Sequence, residues 1–419
     1  MPTPLVLVAG LHAGARTAAV DRLLRRHPGA VAIHHDIHLA AGRAERVVRD
    51  ASGVLERARI RVARSRAARG VREDLRAQLA LHAGSAPLVI ADLWDSAEPR
   101  PVAEALAGAG PFRLTCVLTA LDAAHTPLDL CRGDRLAETG REEATGDRRY
   151  LAEVLARQIE YAGALSLHGG DEEDIDLSAA VLRHLAPATP ITADPPVTGP
   201  TLSVRALAER VDPATALLPA ETRTGEITTV AWRRLRPLHP GRLFEAVDEL
   251  VTTTVRSRGR FWLANRHERM LSWDAVAGVI DIRDAGPWLA ALPGAAWDLA
   301  TPTRRVAAAL DWHPEVGDRV QHLVFTGPGL DRRRIHALLD SCLIDQGPAV
   351  PAPADWSGFD DPFAGVLTPP LRSRGGETGH HLGVGEPDCG VRVLSAAPRR
   401  PARPGTGRPT PAAQSATPM

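Results

Sequence analysis

Between Gly10 and Thr17 the chain reads Gly-Leu-His-Ala-Gly-Ala-Arg-Thr, after the apolar run Leu5-Val-Leu-Val-Ala and before a helical pattern at Val20, Leu23 and Leu24. A glycine turn from strand to helix can offer consecutive backbone N–H groups to phosphate oxygens, while a cation reaches the terminal phosphates and a hydroxyl holds magnesium. Gly10 and Thr17 stand at the outer positions of such a phosphate-binding loop. Arg16 takes the place usual for lysine, keeping the charge but presenting a planar fork instead of a compact ammonium. Ala15 takes the place of the second glycine, where its Cβ intrudes if the backbone must adopt positive φ, and Gly14 lies one position early. The plainer reading of the same residues is a turn, with Arg16 solvated at a helix N-terminus.

A second set of candidates binds cations. Asp92 ends the apolar run Pro87–Asp92; it could hold magnesium through water together with Thr17, or the two could be a strand-end carboxylate and a first-turn hydroxyl that only face one another. His34, His35 and His38 cluster in an expected loop and could ligate zinc through imidazole nitrogens, although adjacent loop histidines are more often solvated. The arginine run from Arg57 to Arg76 is interrupted by Glu73 and Asp74 and carries no aromatic residues, which suits a solvated helical face and not a nucleic-acid surface. All 50 basic residues are arginine. The absence of lysine excludes Schiff-base chemistry and a lysine on any phosphate. The 50 acidic residues balance the basic ones, so no global field steers the chain to nucleic acid or an anionic membrane. Cys116, Cys131, Cys342 and Cys389 are too scattered for a zinc knuckle or a disulfide framework and read as free thiols. With no run long enough to span a bilayer and no basic segment ahead of the first apolar stretch, a cytoplasmic location and no membrane partner are expected.

These residues need elements to position them. Apolar runs at Ala30–Ile33, Pro87–Asp92, Phe112–Asp122 and Ala162–His168 alternate with helical stretches, which predicts an α/β unit with a doubly wound parallel sheet over residues 1–190. Residues 191–224, rich in proline and threonine, read as a linker. A smaller α+β unit is expected over 225–345, with strand-like pieces around Arg260, Ala277 and Gln321. From 346 to 419 proline and glycine dominate and a disordered tail is expected.

Several segments carry a resemblance. RPLHPGRLFEAVDEL, RSRGRFWLANR, LSWDAVAG and WHPEVGDRVQHLVFTG are similar in order and spacing to the CobW C-terminal domain. RQIEYAGALSL (157–167) resembles the segment before the family's guanine-reading motif, and VREDLRAQL the segment after its metal-binding cysteines. The resemblance covers residues 4–345 and identifies a degenerate member of the CobW family of P-loop GTPases and metallochaperones. It implies a P-loop NTPase-like fold, binding of GTP or GDP with magnesium, slow hydrolysis, and a role in supplying metal, often zinc, to a metalloprotein client. At the working positions the chain departs from the family. The cysteine metal motif falls on Arg66-Ala-Ala-Arg69, which cannot hold a soft cation. The guanine-reading motif falls on His168-Gly-Gly-Asp171, leaving Asp171 to accept from the base, and Asp95 stands where the Glu-x-x-Gly setting has glycine. Two readings follow: a weak GTP-binding protein of metal homeostasis, or a pseudo-GTPase that recognises a partner through the surface around Trp262 or Trp312.

Overall fold

The computed structural model describes residues 2–344, 356, 358–367 and 392–394. The first unit runs β1 (Thr3–Ala9), α1 (Ala13–Arg26), β2 (Val31–His38), β3 (Arg43–Asp50), β4 (Gly53–Arg61), α2 (Ala67–His82), β5 (Val89–Asp92), α3 (Pro99–Leu106), β6 (Phe112–Asp122), α4 (Thr126–Asp129), α5 (Leu151–Tyr161), β7 (Ala164–His168) and α6 (Glu172–Leu185). Its seven strands are ordered β4-β3-β2-β5-β1-β6-β7. The five from β2 to β7 pair in parallel, and β1, β5 and β6 are apolar and buried almost throughout because helices cover both faces.

The sheet is therefore mixed and not purely parallel: β3 and β4 extend it as an antiparallel hairpin. Strand β3 buries Ala44, Arg46 and Val48 on one face, whereas every residue of the edge strand β4 is exposed or half-buried. The turn between them is built locally, with the Asp50 carboxylate accepting from the N–H groups of Ser52 and Gly53 and from the Ser52 hydroxyl. Arg57, Arg59 and Arg61 thus lie on an edge strand, and only the later arginines of the run sit on helix α2.

The expected linker 191–224 carries α7 (Val204–Val211), whose Leu207 packs in the first core, and β8 (Thr222–Thr224), which opens the second sheet. The second unit continues with β9 (Ile227–Arg234), α8 (Pro240–Thr252), β10 (Arg256–Phe261), β11 (Arg269–Val276), β12 (Val279–Pro287), α9 (Pro302–Asp311), β13 (Gln321–Pro328), α10 (Arg332–Ser341), α11 (Ala364–Leu367) and β14 (Arg392–Leu394). Its sheet is antiparallel in the order β14-β12-β11-β10-β13-β9-β8. The single strand expected around Ala277 is a hairpin, because Ala277 and Gly278 both adopt positive φ, 49° and 81°, and turn the chain between β11 and β12. One sheet face packs on α8 and α10 through Trp232, Trp273 and Phe325; Trp262, Trp288 and Trp356 fill a separate cluster.

Two expectations about the surface change. Trp262 is fully buried, so only the half-exposed Trp312, which meets Trp297 edge to face, remains of that pair as a surface residue. The tail expected from 346 is partly packed: Trp356 meets Trp262 edge-on and Phe363 is buried against Phe244. The remainder of that expectation, with Cys389, lies outside the described residues.

The two units are clamped by α5. Arg256 donates to both carboxylate oxygens of Glu160, at 2.8 and 2.9 Å, and Arg258 lies 3.1 Å from the same carboxylate. Arg157, one helical turn away, reaches Glu98, Glu153 and Asp274.

Candidate nucleotide site

The candidate site lies where the parallel strands end. Gly10 leaves β1 with φ 143°, and a Cβ there would stand 2.1 Å from the Ala120 carbonyl oxygen of β6, so only glycine lets the two strands close. Helix α1 then begins at Ala13, three residues after Gly10. The expected eight-residue loop is a short turn of Gly10, Leu11 and His12, and the Arg16 N–H closes a helical bond to the His12 carbonyl. Gly14 and Ala15 are helical: a Cβ at Gly14 meets nothing within 4 Å, and Ala15 adopts no positive φ. The steric objection to Ala15 disappears with the loop that raised it. His12 gives no side-chain cap, so the first-turn N–H groups at Ala13 to Ala15 present an uncapped, electropositive helix end.

His12 is engaged elsewhere. Its Nδ1 accepts the Asp122 N–H, which places the proton on Nε2, and Nε2 donates to Asp129 at 3.0 Å. Leu11 beside it is buried, so the turn is pinned on both sides.

Arg16 is 2% exposed and points down into the fold instead of out to solvent. Its guanidinium donates to the Gly10 carbonyl, to Asp92 Oδ1 at 3.2 Å and to Asp95 Oδ1 at 2.7 Å. Asp92 ends β5, level with His34 of β2, and the His34 Nδ1 lies 3.1 Å from its backbone oxygen and 3.3 Å from its carboxylate. Burial by itself would raise the Asp92 carboxyl, but His34 and Arg16 outweigh it and hold it below the ordinary aspartate value. Burial would likewise lower the His34 imidazole, and the hydrogen bond and charge of Asp92 reverse the sign and raise it. Asp95 Oδ2 accepts in turn from Arg141 at 3.2 Å. Beyond it Arg149 ties Glu98, Glu143 and Asp147 into a knot that closes over Trp94, whose indole N–H donates to Glu143.

The other candidates are dispersed. Thr17 is exposed on α1, while Asp92 is buried and already bonded. The acidic oxygens that magnesium would take are held by a guanidinium, so this arrangement does not fit the ion. His34, His35 and His38 lie on strand β2 and not in a loop, and adjacent strand residues point to opposite faces. His34 turns to Asp92, His35 to Asp74 at 2.7 Å, and His38 toward Asp36. They do not converge, and among the described residues no group of three histidine, cysteine or acidic side chains is arranged to hold a metal. Arg66 and Arg69 are exposed at the start of α2 around the buried Ala67, and offer zinc no donor. Asp171 is the N-cap of α6, accepting from the Asp174 N–H, after two glycines of positive φ. Asp122, at the neighbouring strand end, pairs with His125.

His12, Asp95 and Arg141 are the residues that the sequence pattern did not single out as working parts. Asp95 left one signal, a carboxylate at a glycine position; the other two left none, because their partners lie 117 and 46 residues away. Among the described residues Cys116, Cys131 and Cys342 are free thiols, and burial pushes Cys116 up to about 12. No helix of the described residues is long and apolar enough to cross a membrane.

A largely parallel sheet with a glycine turn at the carboxyl end of its strand β1 is joined to an antiparallel sheet. Residues 227–343 match the cobalamin synthesis protein cobW C-terminal domain. A zinc chaperone of Mycobacterium tuberculosis is 30% identical over 409 residues, spanning 92% of this chain and 100% of the relative. A zinc-regulated GTPase metalloprotein activator of Dictyostelium discoideum is 22% identical over 277 residues, 60% of this chain and 56% of that protein. Among solved structures the zinc-bound YjiA GTPase from E. coli aligns at 14% identity over 82% of this chain and 99% of its own, with a TM-score of 0.34. The chain belongs to the CobW family.

Proposed function

We propose that this chain is a CobW-type nucleotide-binding protein of zinc homeostasis, acting in the cytoplasm, that binds GTP or GDP weakly at the Gly10–Thr17 segment and hydrolyses it slowly or not at all. The observation that carries the reading is the state of Arg16. An uncapped helix end remains to receive phosphate, but the cation that should meet it is bonded to Gly10, Asp92 and Asp95. Phosphate is then held by backbone N–H groups and the helix dipole alone, a weaker grip than a charge-assisted fork. The relatives, a zinc chaperone and a zinc-regulated GTPase metalloprotein activator, support the link to zinc, with a metalloprotein as the client. Zinc itself would be held by donors other than Arg66–Arg69 or the three β2 histidines. Titration of the full chain with a fluorescent GTP analogue, with and without magnesium, tests the reading. Saturable binding in the micromolar range is expected, and no binding at high micromolar protein refutes it.

A pseudo-GTPase that serves as a protein-binding module is favoured by one different observation: Arg157 and Glu160, in a segment that resembles the family's, act in this chain as the clamp between the two units. Under that reading Arg16→Ala and Asp92→Ala leave cellular function intact, while substitutions around the exposed Trp312 abolish it.

A further inference from the structure

We propose that Asp95 is a latch that holds Arg16 away from the phosphate-facing end of α1, so that release of this one contact sets nucleotide affinity. The inference rests on the nucleotide-binding reading above and deepens it. Arg16 has two acidic partners of unequal character. Asp92 is deep, with its side chain 7% exposed, whereas the Asp95 side chain is 30% exposed and makes the shorter contact, 2.7 Å against 3.2 Å. Asp95 is thus the outer, reachable half of the grip. Its backbone is fixed from below, where the Gln158 side-chain amide donates to the Asp95 carbonyl at 2.9 Å.

Release of the guanidinium strands neither carboxylate. Breaking a buried ion pair is ordinarily costly because one charge is left uncompensated in a poorly solvated place. In this cluster each acid has a second partner: Asp92 keeps the His34 imidazole at 3.3 Å, and Asp95 keeps Arg141 at 3.2 Å. The hydrogen bond and charge of Asp92 raise the imidazole, which favours its charged form beside the carboxylate. Arg16 lies in the first turn of α1, beside the uncapped N–H groups of Ala13 to Ala15, and its fork suits the oxygens of a nucleoside diphosphate or triphosphate. The guanidinium then has two positions: inward on the Gly10 carbonyl and the two carboxylates, as the structure has it, or outward on phosphate.

The test is equilibrium binding of a fluorescent GDP analogue to the full-length chain and three variants, each checked for folding by circular dichroism. Asp95→Asn keeps the shape and removes the charge; it is expected to bind about tenfold tighter, the effect of one charge-assisted hydrogen bond no longer opposing release. Asp95→Asn combined with Arg16→Gln is expected to lose that gain. Unchanged or weaker binding by Asp95→Asn, or a gain that persists without Arg16, overturns the latch while leaving the nucleotide reading in place. No binding by the folded wild type and Asp95→Asn alike overturns both. If Asp95→Asn does not fold, Arg141→Gln probes the same contact from the other side: Asp95, deprived of its second cation, grips Arg16 harder and binding weakens several-fold. Equal or tighter binding by Arg141→Gln overturns the proposal.

Discussion

Replacing Arg256 with methionine tests whether the clamp between the two units carries stability. The Arg256 and Glu160 side chains are 5% and 6% exposed, and the guanidinium meets both carboxylate oxygens while also reaching Asp274. Removing one partner of a buried pair costs about 3–5 kcal/mol, because the other charge stays desolvated. Two neighbours soften this. Arg258 remains 3.1 Å from Glu160, and Arg157 remains 3.5 Å from Asp274, so neither acid is left bare. The expected loss is therefore at the lower end, about 3 kcal/mol. Adding Glu160→Gln to Arg256→Met removes an acid that has already lost its main partner, so the double variant should lose less than the sum of the two single losses. Urea unfolding of wild type, both single variants and the double gives the coupling directly. A loss below about 1 kcal/mol in Arg256→Met, within the range of exposed ion pairs, would refute the reasoning. So would a double variant less stable than the sum of the singles.

Gly10→Ala and Gly14→Ala should act in opposite directions. The first drives a Cβ to 2.1 Å from the Ala120 carbonyl and should destabilise severely, whereas the second meets open space within α1 and should stabilise by about 0.5–1 kcal/mol through helix propensity; thermal unfolding reads both, and a destabilising Gly14→Ala would place Gly14 outside the helix. A third prediction concerns pH. His322 on β13 is partly desolvated and paired across the sheet with Arg260 and Arg233, and burial with the Arg260 charge lowers its imidazole to about 4. Between its unfolded value of 6.5 and about 4 the unfolded chain holds a proton that the folded chain refuses, so stability falls on acidification through that window. His322→Gln should flatten the slope by up to about 1.4 kcal/mol per pH unit, and an unaltered slope in urea unfolding across that range would refute it.

The first sheet's central strands could be read from the chain alone, since a strand buried on both faces must be a continuous apolar run, and Leu5–Ala9, Val89–Asp92 and Phe112–Asp122 are such runs. The hairpin of β3 and β4 could not, because β4 has no buried face to impose a period on its side chains, one of the three buried positions of β3 is an arginine, Arg46, and the turn is an Asx turn. His34 and His35 show the same divide. Adjacent in the chain, they look like a pair of ligands; on a strand they face opposite ways, one to Asp92 and the other to Asp74. Gly10 was legible as a necessary glycine, although the reason, the Ala120 carbonyl of a strand more than a hundred residues later, was not.

What the sequence determined by itself was the inventory: no lysine, no cysteine cluster at 66–69, an arginine at 16, an aspartate at 95, and apolar runs that commit the first half to a largely parallel sheet. Which way Arg16 points was decided only by tertiary structure. A guanidinium turns inward when carboxylates from another strand end lie within reach and water does not, and the strand order β2-β5-β1 is what brings Asp92, Asp95 and His34 beneath it.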